Sequence, residues 1–267
     1  MTTPLDNLFQ KVRSENRAAL IAYIPAGFPS KAGCTKVIEA LIAGGVDAIE
    51  IGFPYSDPVM DGPTIQAAAD QSLAQGTNAA DVFAALSVAT QSGVPAVVMT
   101  YWNPIEKYGV DKFAASIAEA GGSGVITPDL TIEESEDWQR AVSHNQINSI
   151  YVVAPSTSDQ RLSQVTAACG GFVYAASLMG VTGARAAVSA GAPDLVARIR
   201  ATTTLPVAVG LGVSTREQAK GVAGYADGVI VGSAFIKALQ DAPDEAAGIA
   251  AVKELAQQLS QGVREGR

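Results

Sequence analysis

The chain has 267 residues, 26 Asp and Glu against 18 Lys and Arg for a formal charge of −8, one histidine and two cysteines. That length suits one large α/β barrel of ~250 residues or two domains of ~150. The acidic balance excludes the basic face that nucleic acid demands, and no apolar run approaches the ~18–20 residues of a membrane span. Cys34 and Cys169 are too few and too far apart for a disulfide framework. The first residues, MTTPLDNLFQKVRSENR, lack an apolar h-region, so no signal peptide and a cytoplasmic location are expected. With His144 alone and no CxxC, a zinc site is not expected.

In chain order, a short helix over Pro4 to Arg13 precedes the first of eight β signals. These are Leu20–Pro25, Val46–Gly52, Pro95–Tyr101, Gly124–Thr127, Ser149–Ala154, Phe172–Ser177, Pro206–Gly210 and Ala226–Val231, each a brief β-branched or aromatic stretch bounded by Gly, Pro or Asp. Helical spacing separates them. Val37, Leu41 and Ile42 share one face before Gly44-Gly45, Val82, Phe83 and Leu86 mark another helix, and Phe113, Ile117 and Ala120 a third. Thr131 followed by Glu133 and Glu134 predicts a capped helix start. Leu162 and Val165, then Leu195, Val196 and Ile199, then Ala219 and Val222 continue the series, and Glu245 to Val263 reads as the last helix.

No linker or charge block divides the chain, so one domain over residues 1–267 is expected. Eight βα units with near-continuous apolar strands imply a parallel sheet covered by helices. Their number fits a closed (β/α)8 TIM barrel with an extra N-terminal helix. The alternative, a doubly wound open sheet, wants a GxGxxG after its first strand, and Pro25-Ala26-Gly27-Phe28-Pro29 is not that.

In such a barrel the chemistry sits at the C-terminal strand ends. Along Val46–Gly52 the alternation sends Ile49 and Ile51 out to the helices and Glu50 into the barrel, where an acid is costly unless paired or functional. The following loop, Phe53 to Thr64, carries three prolines, Asp57 and Asp61. Capping of the helix that opens at Pro63 explains Asp61 as well as catalysis does. Gly210-Leu211-Gly212 after the seventh strand and Gly232-Ser233 after the eighth read as a phosphate cup, held by local backbone dipoles in an acidic protein. Leu178 to Gly191, a Gly/Ala-rich run of ~14 residues, is long for a βα loop and reads as a lid. None of the eight lysines lies in a strand signal, which disfavours an imine aldolase, and a lone histidine disfavours a metal aldolase. Interior carboxylates and phosphate turns leave acid–base chemistry.

The run Ile49-Glu50-Ile51-Gly52-Phe53-Pro54-Tyr55-Ser56-Asp57-Pro58-Val59-Met60-Asp61-Gly62-Pro63-Thr64-Ile65-Gln66 closely resembles the signature of the tryptophan synthase α chains, and Gly180-Val181-Thr182-Gly183 is similar to their sixth-loop motif. The resemblance extends from Leu20 to Ser233. It implies a lyase of tryptophan biosynthesis that splits indole-3-glycerol phosphate into indole and glyceraldehyde 3-phosphate, with catalytic carboxylates at Glu50 and Asp61. It further implies substrate-binding positions at Tyr23, Met99, Tyr101, Ile126, Tyr174, Thr182, Gly183, Gly210, Gly212, Gly232 and Ser233. Asp57 would close on Thr182, the Phe53–Asp61 loop would meet a β chain in an α2β2 assembly, and pyridoxal phosphate would belong to that partner, with no cofactor in this chain. Tyr23 stands where the family commonly has phenylalanine beneath the indole, and Met60, Leu178 and Met179 also depart from its pattern. A freestanding lyase, a non-catalytic regulatory subunit and another phosphate-binding barrel are the alternatives.

Overall fold

The computed structural model of the protein describes residues 2–176, 191–210 and 212–267. Eight strands, β1 (Ala19–Pro25), β2 (Ala48–Gly52), β3 (Ala96–Met99), β4 (Gly124–Thr127), β5 (Asn148–Val153), β6 (Val173–Ala176), β7 (Val207–Gly210) and β8 (Gly228–Val231), pair in sequence order and close through β1–β8. Every ladder is parallel. The helices are α1 (Pro4–Ser14), α2 (Lys31–Ala43), α3 (Pro63–Ala74), α4 (Ala79–Gln91), α5 (Trp102–Tyr108), α6 (Val110–Glu119), α7 (Glu136–His144), α8 (Asp159–Ala168), α9 (Ala192–Arg200), α10 (Arg216–Ala223), α11 (Ser233–Gln240) and α12 (Glu245–Arg264). This is the expected TIM barrel, and no helix among the described residues is long and apolar enough to cross a membrane.

The alternation of the strands sorts the core into two. Ile49 and Ile51 face outward into the larger cluster, with Leu20, Ile24 and Val98 against the helix faces. Ile21, Ala48, Val97, Ile126, Ile150, Ala208 and Ile230 fill the inside. The interior cluster includes Leu5, Phe9 and Val12 of α1, which plugs the N-terminal end of the barrel, and the Phe9 and Phe172 rings lie 5.6 Å apart. Thr3 and Asp6 close a capping box at the start of that helix. With its bottom stoppered, the barrel is accessible from the C-terminal strand ends.

Several expected boundaries move, each through a contact the local pattern does not contain. The second strand begins at Ala48 rather than Val46. Asp47 instead takes the Arg17 guanidinium on both oxygens at 2.9 Å and the Leu20 N–H at 2.9 Å, pinning the β1–β2 entry. The third strand stops at Met99, because Tyr101 is already the N-cap of α5, a helix the Asn103-Pro104 pair concealed. Proline is tolerated in a first turn, and the Asp129 carboxylate, from beyond β4, accepts the Trp102 N–H at 2.9 and 3.1 Å. The helix expected to start at Thr131 is a 3-10 turn, Ile132–Glu134, and α7 begins only at Glu136. Thr131 makes no side-chain cap. The lid reading of 178–191 falls on residues outside those described, apart from Gly191, the N-cap of α9.

Candidate active site

A cavity opens at the C-terminal end of the barrel. Its wall is set by strand periodicity: Tyr23 of β1, Glu50 of β2, Met99 of β3 and Tyr174 of β6 all point inward, and the turns after β7 and β8 complete the ring.

Glu50 lies 1% exposed in a strand buried throughout. Its Oε2 has no hydrogen-bond partner among the described residues. Burial, and next the charge of Asp61, push its carboxyl up from 4.5 to about 8. At neutral pH it is a protonated acid facing a cavity, with a proton to give.

Asp61 lies across the mouth, on the loop between β2 and α3. The N-cap of α3 is Gly62 rather than Asp61, and it makes no side-chain cap hydrogen bond. The Asp61 carboxylate is therefore not spent on capping, and turns to Tyr101, whose hydroxyl donates to Oδ2 at 3.2 Å. The same hydroxyl accepts the Met60 N–H at 3.0 Å, the Tyr55 and Tyr101 rings lie 5.2 Å apart, and Gln66 donates to the Asp61 carbonyl at 2.8 Å. Burial raises the Asp61 carboxyl, and the Tyr101 hydroxyl opposes that by favouring the ionised form. Two carboxyl groups in one cavity thus meet different surroundings: Glu50 has apolar walls, Asp61 a donor.

The opposite side of the mouth is built from glycines. Gly210 ends β7, Gly212 has φ +68°, a conformation that favours glycine, and Gly232 is the N-cap of α11 with Ser233 its first residue. All four line the cavity, so the positive end of α11 faces it. The glycines serve a second purpose that spacing did not reveal. A Cβ on Gly210 would stand 2.5 Å from the Tyr174 hydroxyl, one on Gly52 would collide with the Tyr23 hydroxyl, and one on Gly232 would approach Tyr23 Cδ1 to 3.0 Å. Their missing side chains seat two phenol rings.

Of the positions singled out in the sequence, Glu50, Asp61, Tyr23, Met99, Tyr174, Gly210, Gly212, Gly232 and Ser233 share this cavity. Tyr101 does not line it. The ring stands behind Asp61 and reaches the site only through its hydroxyl. Ile126 is also absent from the wall, fully buried in the interior cluster between Met99 and Ile150. Asp57 is exposed on the loop, its carboxylate taking the Ser56 hydroxyl at 2.6 Å. Thr182 and Gly183 lie outside the described residues. Met60, Ile65, Ala176 and Ile230 also form the wall. Inward periodicity on β6 and β8 could have found the last two, whereas Met60 and Ile65 depend on how the loop folds back. Among the described residues no group of three or more His, Cys, Asp or Glu is placed to hold a metal ion.

A family model described as tryptophan synthase alpha chain matches residues 9–264. The chain is 54% identical over 261 residues to the tryptophan synthase alpha chain of Streptomyces coelicolor, covering 97% of this chain and 96% of that one. It is equally identical over 265 residues to that of Thermobifida fusca, covering 98% of each. The fold superposes on a chain of Mycobacterium tuberculosis tryptophan synthase with a TM-score of 0.93 at 46% identity, covering 99% of both, and on the alpha subunit from Legionella pneumophila str. Paris with 0.87 at 32% identity, covering 98% and 99%. With the family model matched over nearly the whole length and the barrel superposing on solved members, the chain belongs to the tryptophan synthase alpha chain family.

Proposed function

We propose that Glu50 is the general acid and base, and Asp61 the electrostatic partner, of the family's lyase reaction, the cleavage of indole-3-glycerol phosphate to indole and glyceraldehyde 3-phosphate. The observation that carries this is the buried, unpartnered Glu50 carboxyl, held up at about 8 in a cavity it shares with Asp61.

The bond to be broken joins C3 of the indole to the glycerol chain. It does not leave as an electron pair on an aromatic carbon until C3 has been protonated. Glu50, protonated at neutral pH, gives that proton, and the indole ring becomes cationic at its nitrogen. Asp61, ionised, accepts the ring N–H hydrogen bond and stabilises the developing charge. Glu50, now a carboxylate in apolar surroundings, takes the hydroxyl proton of the adjacent glycerol carbon. The electrons of that O–H bond form the aldehyde, those of the C–C bond restore the indole, and Glu50 ends protonated as it began. The phosphate rests on Gly212, Gly232 and Ser233 at the start of α11, and its binding energy fixes the reacting carbon against Glu50.

The Phe53–Asp61 loop is the surface offered to a β chain. Val59, 71% exposed, stands out from it, and Tyr55 and Met60 tie its base to Tyr101 and Asp61. Thr182 and Gly183 are assigned here to loop closure with Asp57 and to the phosphate, and pyridoxal phosphate to the partner of an α2β2 complex. An indole-release assay of the wild type and of Glu50→Gln, with and without a tryptophan synthase β chain, tests the reading. The wild type turns over faster with β, and Glu50→Gln loses at least about a hundredfold in both settings. A variant retaining a tenth of wild-type turnover removes Glu50 from the chemistry.

A further inference from the structure

We propose that the Tyr23 hydroxyl is a specificity-determining contact of this site, a neutral hydrogen-bonding group for a substrate glycerol hydroxyl beside the bond that is cleaved. It rests on the anion cradle at Gly232 and Ser233 as read above.

Tyr23 lies on β1, between the strand that ends in the cradle and the strand that carries Glu50. It pairs in register with Glu50, and Gly52 is two residues further toward the mouth. The ring bears on Gly232: a Cβ there would meet Tyr23 Cδ1 at 3.0 Å and Tyr23 Cβ at 3.2 Å. The far end of the same ring covers Gly52, where a Cβ would stand 2.6 Å from Cζ and strike the hydroxyl. Tyr23 therefore bridges from the start of α11 to the top of β2. A ligand with its phosphate on Ser233 and its reacting carbon at Glu50 passes along that bridge.

Tyr23 is 7% exposed, lines the cavity, and its hydroxyl makes no hydrogen bond among the described residues. Ile65, Met99, Ala176 and Ile230 make the neighbouring wall apolar. A glycerol hydroxyl that leaves water for this wall needs a partner, and so does the phenol. Burial first, then the Asp61 and Glu50 charges, hold the phenol well above its usual range. It stays protonated through the working pH range and can both donate and accept. A ring required only to fill space leaves the hydroxyl idle.

Tyr23→Phe keeps the ring and removes the oxygen. The full chain, wild type and variant, is titrated calorimetrically with sn-glycerol 3-phosphate and with propyl phosphate, which has the same phosphate and no hydroxyl. The wild type prefers glycerol 3-phosphate. The variant loses about three- to tenfold in affinity for it and nothing for propyl phosphate, and kcat/KM for indole-3-glycerol phosphate falls by at least that factor at an unchanged Tm. An equal loss for both ligands makes the ring a wall and overturns the proposal, as does no loss for either. A wild type that binds neither ligand overturns the cradle and the proposal with it. Binding involves no proton transfer, so an error in the role of Glu50 leaves this readout standing.

Discussion

The Tyr101 hydroxyl donates to Asp61 Oδ2 at 3.2 Å while accepting the Met60 N–H at 3.0 Å. One phenol thus orients the carboxylate and anchors the loop that carries it. Its own proton is held firmly, burial and the adjacent Asp61 charge pushing the phenol up to about 12.

Tyr101→Phe should lower indole release about fivefold at neutral pH, the loss of one hydrogen bond of ~1 kcal/mol. It should also move the acid limb of the kcat/KM profile to higher pH. The hydroxyl favours ionised Asp61, so without it the carboxyl keeps its proton to higher pH and the required carboxylate is lost sooner on acidification. On an Asp61→Asn background the same change should add little, which a double-mutant cycle measures.

Glu50 should cost stability on the alkaline side. Its folded value of about 8 stands above the unfolded 4.5, so between them the native state holds a proton that the unfolded state has released. Stability is greatest below about 4.5 as far as this group is concerned, and falls by several kcal/mol as pH rises through that window. Glu50→Gln has no such charge to bury. Its Tm should exceed that of the wild type at pH 8 and converge with it near pH 5, in thermal melts across the range. The same titration should give kcat/KM a falling limb as the acid form is lost near pH 8.

Asp61→Asn separates catalysis from capping. A lost N-cap would cost ~1 kcal/mol and leave activity intact. Gly62 is the N-cap of α3, so urea denaturation should show no such loss, while indole release falls at least about tenfold.

Gly210→Ala should destabilise by about 1–3 kcal/mol, because the new Cβ meets the Tyr174 hydroxyl at 2.5 Å and the rest of the ring at 3.0 Å or more. Tyr174→Phe removes the atom in closest conflict. The Gly210→Ala/Tyr174→Phe pair should recover more than half of the lost stability in thermal melts.

The barrel was legible in the chain because strand and helix periodicities are local. Ile49 and Ile51 around Glu50 sufficed to turn the acid inward, and the glycines at 210, 212, 232 and the serine at 233 marked residues that line the cavity. Ranges such as Val46–Gly52 ran too long because apolar character does not say which residue has its backbone in a ladder. Asp47 looks like strand flank until Arg17, thirty residues earlier, is brought to it.

By itself the sequence determined the number and order of the βα units, the inward face of β2 and, through a run of eighteen residues from Ile49 to Gln66, the family. Tertiary structure alone decided that Asp61 answers to Tyr101 rather than to its own helix, that Ile126 lies in the interior core rather than on the cavity wall, that Asp129 starts α5, and that Gly52 and Gly210 make room for Tyr23 and Tyr174. Each of these joins residues 27 to 40 positions apart or on neighbouring strands of a closed ring. Periodicity records which way a side chain points from its own backbone. It holds no record of what the chain brings opposite, which is fixed only when the strands close and the loops fold over their ends.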